Sequence, residues 1–166
     1  MLNETNRNDK DLTRAAIPLI FEDGSELYLR PLGDRANTEL DIWVKARYLH
    51  DQRSNIPKDA DEETKDRIER IAQQEASTLC WFLGLGARIM VSIEGMTQIL
   101  YQASREDCPE ISREWIREKL FVKKNLDLAN EAVAKVENLE DDLKKNRAAR
   151  QKRNRQNRLR KKKGTR

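Results

Sequence analysis

The chain has 166 residues, of which 37% are apolar, 37% charged and 5% aromatic, a composition suited to one modest core under a heavily charged surface, plus an appendage. So few aromatics leave little material for a platform that stacks single-stranded bases. The formal charge of +4 averages two parts of opposite sign: thirteen of the 33 Lys and Arg lie in 144–166 with no acid among them, which leaves a preceding body of 20 basic and 29 acidic side chains, net −9.

Residues 1–16 are polar and read as disordered. Met1-Leu2-Asn3-Glu4-Thr5 lacks the apolar run of a secretory leader, so Cys80 and Cys108 are expected to be reduced thiols in the cytoplasm, the host cell's if the chain is phage-encoded. Ile17 to Leu32 reads as two short strands around Asp23-Gly24, a dipeptide that accepts the positive φ of a tight hairpin. Pro31 ends the second strand because it cannot donate to a ladder.

After Gly33-Asp34, the residues Ala36, Leu40, Trp43, Val44, Arg47 and Tyr48 recur at helical spacing. Pro57 separates this helix from a second, charged one that begins near Asp61 and carries Ile68, Ile71, Ala72, Leu79, Cys80 and Leu83 on its apolar side. Gly84 and Gly86 break it or let two helices approach closely. A third helix, about Ile89 to Ala103, places Ile89, Ile93, Met96, Ile99 and Leu100 on one face. The stretch Leu79 to Tyr101 is long enough to span a bilayer, but Arg88 and Glu94 near its middle would each cost about 2.5–3.5 kcal/mol at that depth. A pair of buried helices is the cheaper reading, and no membrane partner is expected.

Asp107-Cys108-Pro109-Glu110 is a turn, and Ser112 reads as the N-cap of a fourth helix with Glu114 in its first turn. Trp115, Ile116 and Leu120 form that helix's buried side. From 126 to 143, Leu126, Ala129, Val133, Val136 and Leu143 fit a heptad seam that Glu140 interrupts. Either a short coiled coil or an amphipathic helix lying on the body satisfies that pattern. The fold expected is mainly α with a small N-terminal β-hairpin (α+β): a hairpin plus helical body over 17–125, an amphipathic helix over 126–143, and an extended helical or disordered basic tail over 144–166. Trp43, Leu79, Trp81, Ile93, Ile99, Trp115 and Ile116 are the expected core.

No catalytic constellation emerges. Gly84-Leu85-Gly86-Ala87 lacks the third glycine and the preceding strand of a dinucleotide loop, and no phosphate-binding loop of the Gly-x-x-x-x-Gly-Lys type is present. Asp61-Glu62-Glu63 sits among charges that would not raise a carboxylate pKa. His50 is the only histidine and has no Cys at zinc-ligand spacing. The expectation is a non-enzymatic protein with no cofactor and no metal. The candidate polyanion-binding residues are Lys144, Lys145, Arg147, Arg150, Lys152, Arg153, Arg155, Arg158, Arg160, Lys161, Lys162, Lys163 and Arg166, which suit a phosphate backbone without base choice or an acidic protein surface.

Three segments, taken in order, resemble the tail assembly chaperones of long-tailed bacteriophages. Phe21-Glu22-Asp23-Gly24-Ser25-Glu26-Leu27-Tyr28-Leu29-Arg30-Pro31-Leu32, followed by Glu39-Leu40-Asp41-Ile42-Trp43-Val44, is similar to the family's opening hairpin and amphipathic helix. Gly95-Met96-Thr97-Gln98-Ile99-Leu100-Tyr101 through Ser104-Arg105-Glu106-Asp107-Cys108-Pro109-Glu110-Ile111-Ser112 resembles its apolar helix, basic turn and capped next helix. Asn125-Leu126-Asp127-Leu128-Ala129-Asn130-Glu131-Ala132-Val133 resembles its terminal helix. The likeness spans roughly residues 18–140; the basic tail and the charged segment Asp59 to Glu75 depart from the pattern. It implies a small, mostly helical, non-enzymatic protein that binds the tape measure protein, or another phage tail protein, and keeps its long apolar helices soluble while the tail tube polymerises. On that reading Leu40, Trp43, Val44, Met96 and Leu100 are the candidate partner-binding residues. The alternatives are a small nucleic-acid-associated protein acting through residues 144–166, and a structural virion or head-tail joining protein. A homo-oligomer is compatible with each.

Overall fold

Asp23 and Gly24 turn the chain back on itself at the start of the fold. Gly24 has a φ of +81°, the left-handed region that a side chain resists. The Ser25 N–H and hydroxyl both donate to Asp23 Oδ1, at 3.1 and 2.6 Å. In this computed structural model, which describes residues 16–136 together with 138 and 145, the turn joins strands β1 (Ile17–Ile20) and β2 (Glu26–Leu29). They pair antiparallel with Ile17 opposite Leu29 and Ile20 opposite Glu26. Alternation puts Leu19, Phe21, Leu27 and Leu29 inward, fully or nearly fully buried, and leaves Pro18, Ile20 and Tyr28 outward.

Six helices follow among the described residues: α1 (Asp34–Ser54), α2 (Glu62–Thr78), α3 (Gly84–Met90), α4 (Ile93–Ser104), α5 (Arg113–Leu120) and α6 (123–136). The fold is therefore mainly helical with a two-stranded N-terminal hairpin, as the periodicities predict. Helix α1 buries one stripe, Leu40, Val44 and Tyr48, each four residues from the last. Helix α2 starts where Asp61 Oδ1 accepts the Thr64 N–H at 2.7 Å. It buries only Ala72 and Ala76, so it lies close against Tyr48, whose hydroxyl donates to Glu75.

Two helix boundaries differ from the sequence-based expectation. Helix α2 stops at Thr78 instead of running through Leu83. The Ser77 and Thr78 hydroxyls donate back to the Gln74 and Glu75 carbonyls, and Leu79 is already extended. The single helix expected over 89–103 is divided at Val91-Ser92. Ser92 Oγ accepts the Gly95 N–H at 3.1 Å and caps α4, while donating to the Ile89 carbonyl at 2.8 Å. Apolar periodicity runs through this joint unbroken, and the local serine bonds override it.

Helix α4 is the centre of the molecule, packed against β2, α1, α3 and α5. It buries Met96, Ile99, Leu100 and Ala103, while the buried Thr97 hydroxyl is satisfied by the Ile93 carbonyl at 2.7 Å. Helix α5 begins as expected at Ser112, whose Oγ accepts the Trp115 N–H at 3.2 Å, and buries Ile116 and Leu120. Helix α6 begins at 123, and its Ala129, Ala132 and Val136 enter the same core as the hairpin, α4 and α5. The expected seam is thus rotated, with Asn125 and Ala132 buried and Leu126 and Val133 only half-buried; Leu143 lies outside the described residues. Asn125 clasps the hairpin turn to the α5–α6 joint. Its Oδ1 accepts the Glu22 N–H and its amide donates to the Lys119 carbonyl, both at 2.9 Å.

Of the seven residues expected in the core, Ile99 and Ile116 are buried. Trp43, Leu79, Trp81, Ile93 and Trp115 are partly buried and pack against the core from its edges. In a chain with so much charge, the core closes with Leu, Ile, Met and Ala, and the three indoles line its edges.

Candidate partner-binding surface

The residues that periodicity and resemblance nominate for a partner turn out to build the body itself. Leu40 and Val44 on α1 meet Met90 and Ile99, and Met96 and Leu100 on α4 face the hairpin and α5 cluster. All four are buried and cannot meet a partner without opening the fold. This corrects their assignment to the binding surface. Trp43 alone of the five keeps exposed surface.

Apolar residues are open elsewhere, densest in the segment joining α2 to α4; Ile20, Tyr28, Ile42, Ile71, Phe121 and Val122 are exposed at scattered places outside it. Phe82 is 64% exposed, Leu83 67%, Leu85 44% and Val91 72%. Trp81 anchors this segment to α1: its backbone N–H donates to Asp41 Oδ1 at 2.8 Å, and its ring meets Phe82 edge-on at 5.7 Å. The Trp81 indole N–H is itself buried and has no hydrogen-bond partner among the described residues. Gly86 lets the first turn of α3 approach so closely that a Cβ there would fall on the Cys80 carbonyl oxygen. That contact fixes the turn and leaves Phe82, Leu83 and Leu85 on its outer side. The signal was legible as three large apolar residues placed at a glycine-bounded break, where no helix face can absorb them.

A cleft of about 290 Å³ opens between α1, α4 and α5. Trp43 and Arg47 form one wall, Glu94 and Gln98 the floor, and Arg113 and Arg117 the other wall. The Arg113 guanidinium lies over the Tyr101 ring, 4.5 Å from its centroid, and Arg117 lies over Phe121 at 5.7 Å. Arg117 approaches Glu94 only to 3.8 Å, whereas Arg47 is held by Asp51 at 3.1 Å. Arg113 forms no ion pair among the described residues, and Glu114 is held below its ordinary pKa mainly by its own backbone N–H, with smaller help from Ser112, Arg113 and Arg117. A second cleft of about 260 Å³ collects Arg30, Arg35 and Arg105, but Glu39 holds the latter two and Asp107 the first.

Of the basic tail, Lys145 is described, exposed and helical. The other candidate polyanion-binding residues, Lys144, Arg147, Arg150, Lys152, Arg153, Arg155, Arg158, Arg160, Lys161, Lys162, Lys163 and Arg166, lie outside the described residues, as do 1–15. His50 is exposed beside Asp51 at 3.5 Å. Among the described residues no group of three or more His, Cys, Asp or Glu is placed to hold a metal ion, and no helix is long and apolar enough to cross a membrane. No protein-family model, curated protein or solved structure matches the chain.

Proposed function

We propose that the chain is a non-enzymatic assembly chaperone that covers apolar helices of a partner, the tape measure protein of a long-tailed phage on the resemblance described above. The observation that carries this reading is the exposure of Phe82, Leu83, Leu85 and Val91 within ten residues on one anchored segment. Apolar surface gathered in this way marks an interaction site, because removing it from water contributes about 25 cal/mol per Å². Helix-in-groove recognition needs such anchors on a rigid base, and the Trp81–Asp41 bond and the Gly86 contact supply that base. The tail, with thirteen cations and no acid, supports a second reading, a nucleic-acid-associated protein that holds phosphate through 144–166.

Co-expression with the tape measure protein tests the first reading. The wild-type chain should keep that protein in the soluble fraction, and Phe82→Asp/Leu83→Asp should not. Both positions are exposed, so the variant should melt at the wild-type temperature. Equal solubilisation by the variant would remove the proposal.

A further inference from the structure

The cleft between α1, α4 and α5 carries charge that the apolar segment does not explain. Arg113 and Arg117 stand four residues apart on α5, one above the other, and each guanidinium spreads over an aromatic ring. A ring satisfies the face of a guanidinium and leaves its in-plane N–H donors available. Those donors match the two oxygens of a carboxylate. Arg113 forms no ion pair among the described residues, and Arg117 keeps a loose ion pair with Glu94 whose 3.8 Å separation is too long for a hydrogen bond. The half-buried Trp43 opposite offers an apolar wall for the stem of an incoming side chain.

Resting on the reading of the chain as a helix-covering chaperone, we infer that this cleft selects partner helices that carry acidic side chains beside their apolar face. A Glu or Asp of the partner enters between α1 and α5 and accepts from Arg113 and Arg117, while its neighbours settle on the exposed segment whose Val91 precedes Glu94 by three residues. The volume, about 290 Å³, sits at the small end of ligand sites and admits a side chain or two. A nucleic-acid backbone fits less well. Glu94 and Glu114 line the same cleft and repel a run of phosphates more strongly than the single charge of one carboxylate.

The test uses the full-length chain and two synthetic amphipathic helical peptides that share one Leu/Ile face, one flanked by Glu and the other by Lys. Affinity is measured by calorimetry for the wild-type chain and for Arg113→Gln/Arg117→Gln, whose side chains are exposed and whose melting temperature is checked first. The expected result is binding of the Glu peptide about tenfold tighter than the Lys peptide, falling to near equality in the variant. The basic tail is present in both proteins, so a preference that survives in the variant assigns the selectivity to the tail and overturns the inference. Equal binding of both peptides by the wild type also overturns it while leaving the chaperone reading standing. Binding of neither peptide removes both. A phosphate oligonucleotide that displaces the Glu peptide from the wild type but not from the variant would make the cleft a phosphate site and sink the acidic-helix assignment.

Discussion

Arg30 grips Asp107 with two parallel hydrogen bonds of 2.5 Å, from Nε and Nη2 to the two carboxylate oxygens. The pair joins the end of the hairpin to the turn between α4 and α5, 77 residues away in sequence, and the Arg30 backbone N–H adds a bond to the Ala103 carbonyl at 2.8 Å. The geometry is fork-on-fork, and both side chains are largely sheltered.

Asp107→Asn should therefore destabilise the chain by about 1–2 kcal/mol in denaturant unfolding. The Arg30 N–H donors hold the Asp107 carboxyl below its ordinary value of 3.8. A carboxyl depressed in the folded state adds stability that is complete above the unfolded pKa and is lost as pH falls through the folded one. The gap between wild type and variant should hold from neutrality down to the region of pH 3.8 and narrow in more acidic solution. A gap that widens there would show that the pair is not what the substitution removes.

Adjacent residues on α5 should respond differently to truncation. Ile116 is fully buried, and Ile116→Ala should cost about 2–5 kcal/mol. Trp115 meets Phe21 edge-on at 5.6 Å and carries Lys119 over its ring at 5.0 Å, but is only half-buried. Its replacement by Ala should cost about 1–3 kcal/mol, less than a core tryptophan would. Thermal or urea unfolding of the two variants checks the order.

The sequence discloses the elements better than it discloses their surroundings. Asp23-Gly24, Ser112 and the Leu40–Val44–Tyr48 stripe each carry a local signal, a turn dipeptide, a cap or a period, and each appears where expected. The joint at Ser92 is hidden because the apolar period continues across it and a serine in that position is ambiguous until its partners are known. The enclosure of the candidate partner residues is hidden for a deeper reason. An amphipathic face looks the same whether it closes on the chain's own hairpin or on another protein, so Leu40, Val44, Met96 and Leu100 read as partner residues until packing shows them enclosed. Leu83 errs in the opposite direction, as a large apolar residue expected on the apolar side of a helix that ends at Thr78, before reaching it.

Gly95 should tolerate no side chain. A Cβ at this position would stand 2.5 Å from the Met90 carbonyl oxygen and closer still to Met90 Cα, and both are backbone atoms that cannot rotate away. Gly95→Ala should destabilise by about 1–3 kcal/mol through overpacking of the α3–α4 joint, despite alanine's better helix propensity. A neutral or raised melting temperature would mean that α3 can withdraw from α4 without loss.

The tail makes the last prediction. Thirteen cations within 23 residues, with no acid among them, are expected to bind polyanions without sequence preference. If six to ten phosphates are engaged, affinity should fall about 10³- to 10⁵-fold between about 50 and 200 mM salt. Salt sensitivity alone does not identify the partner, because a tail attracted to the −9 body would weaken in the same way. The decisive comparison is an anisotropy titration of the full-length chain against residues 1–143 with unrelated DNA and RNA sequences. Binding by the full-length chain only, equal across sequences, assigns phosphate contact to 144–166. Absence of binding at low salt takes nucleic acid out of the function and leaves an acidic protein surface as the tail's partner.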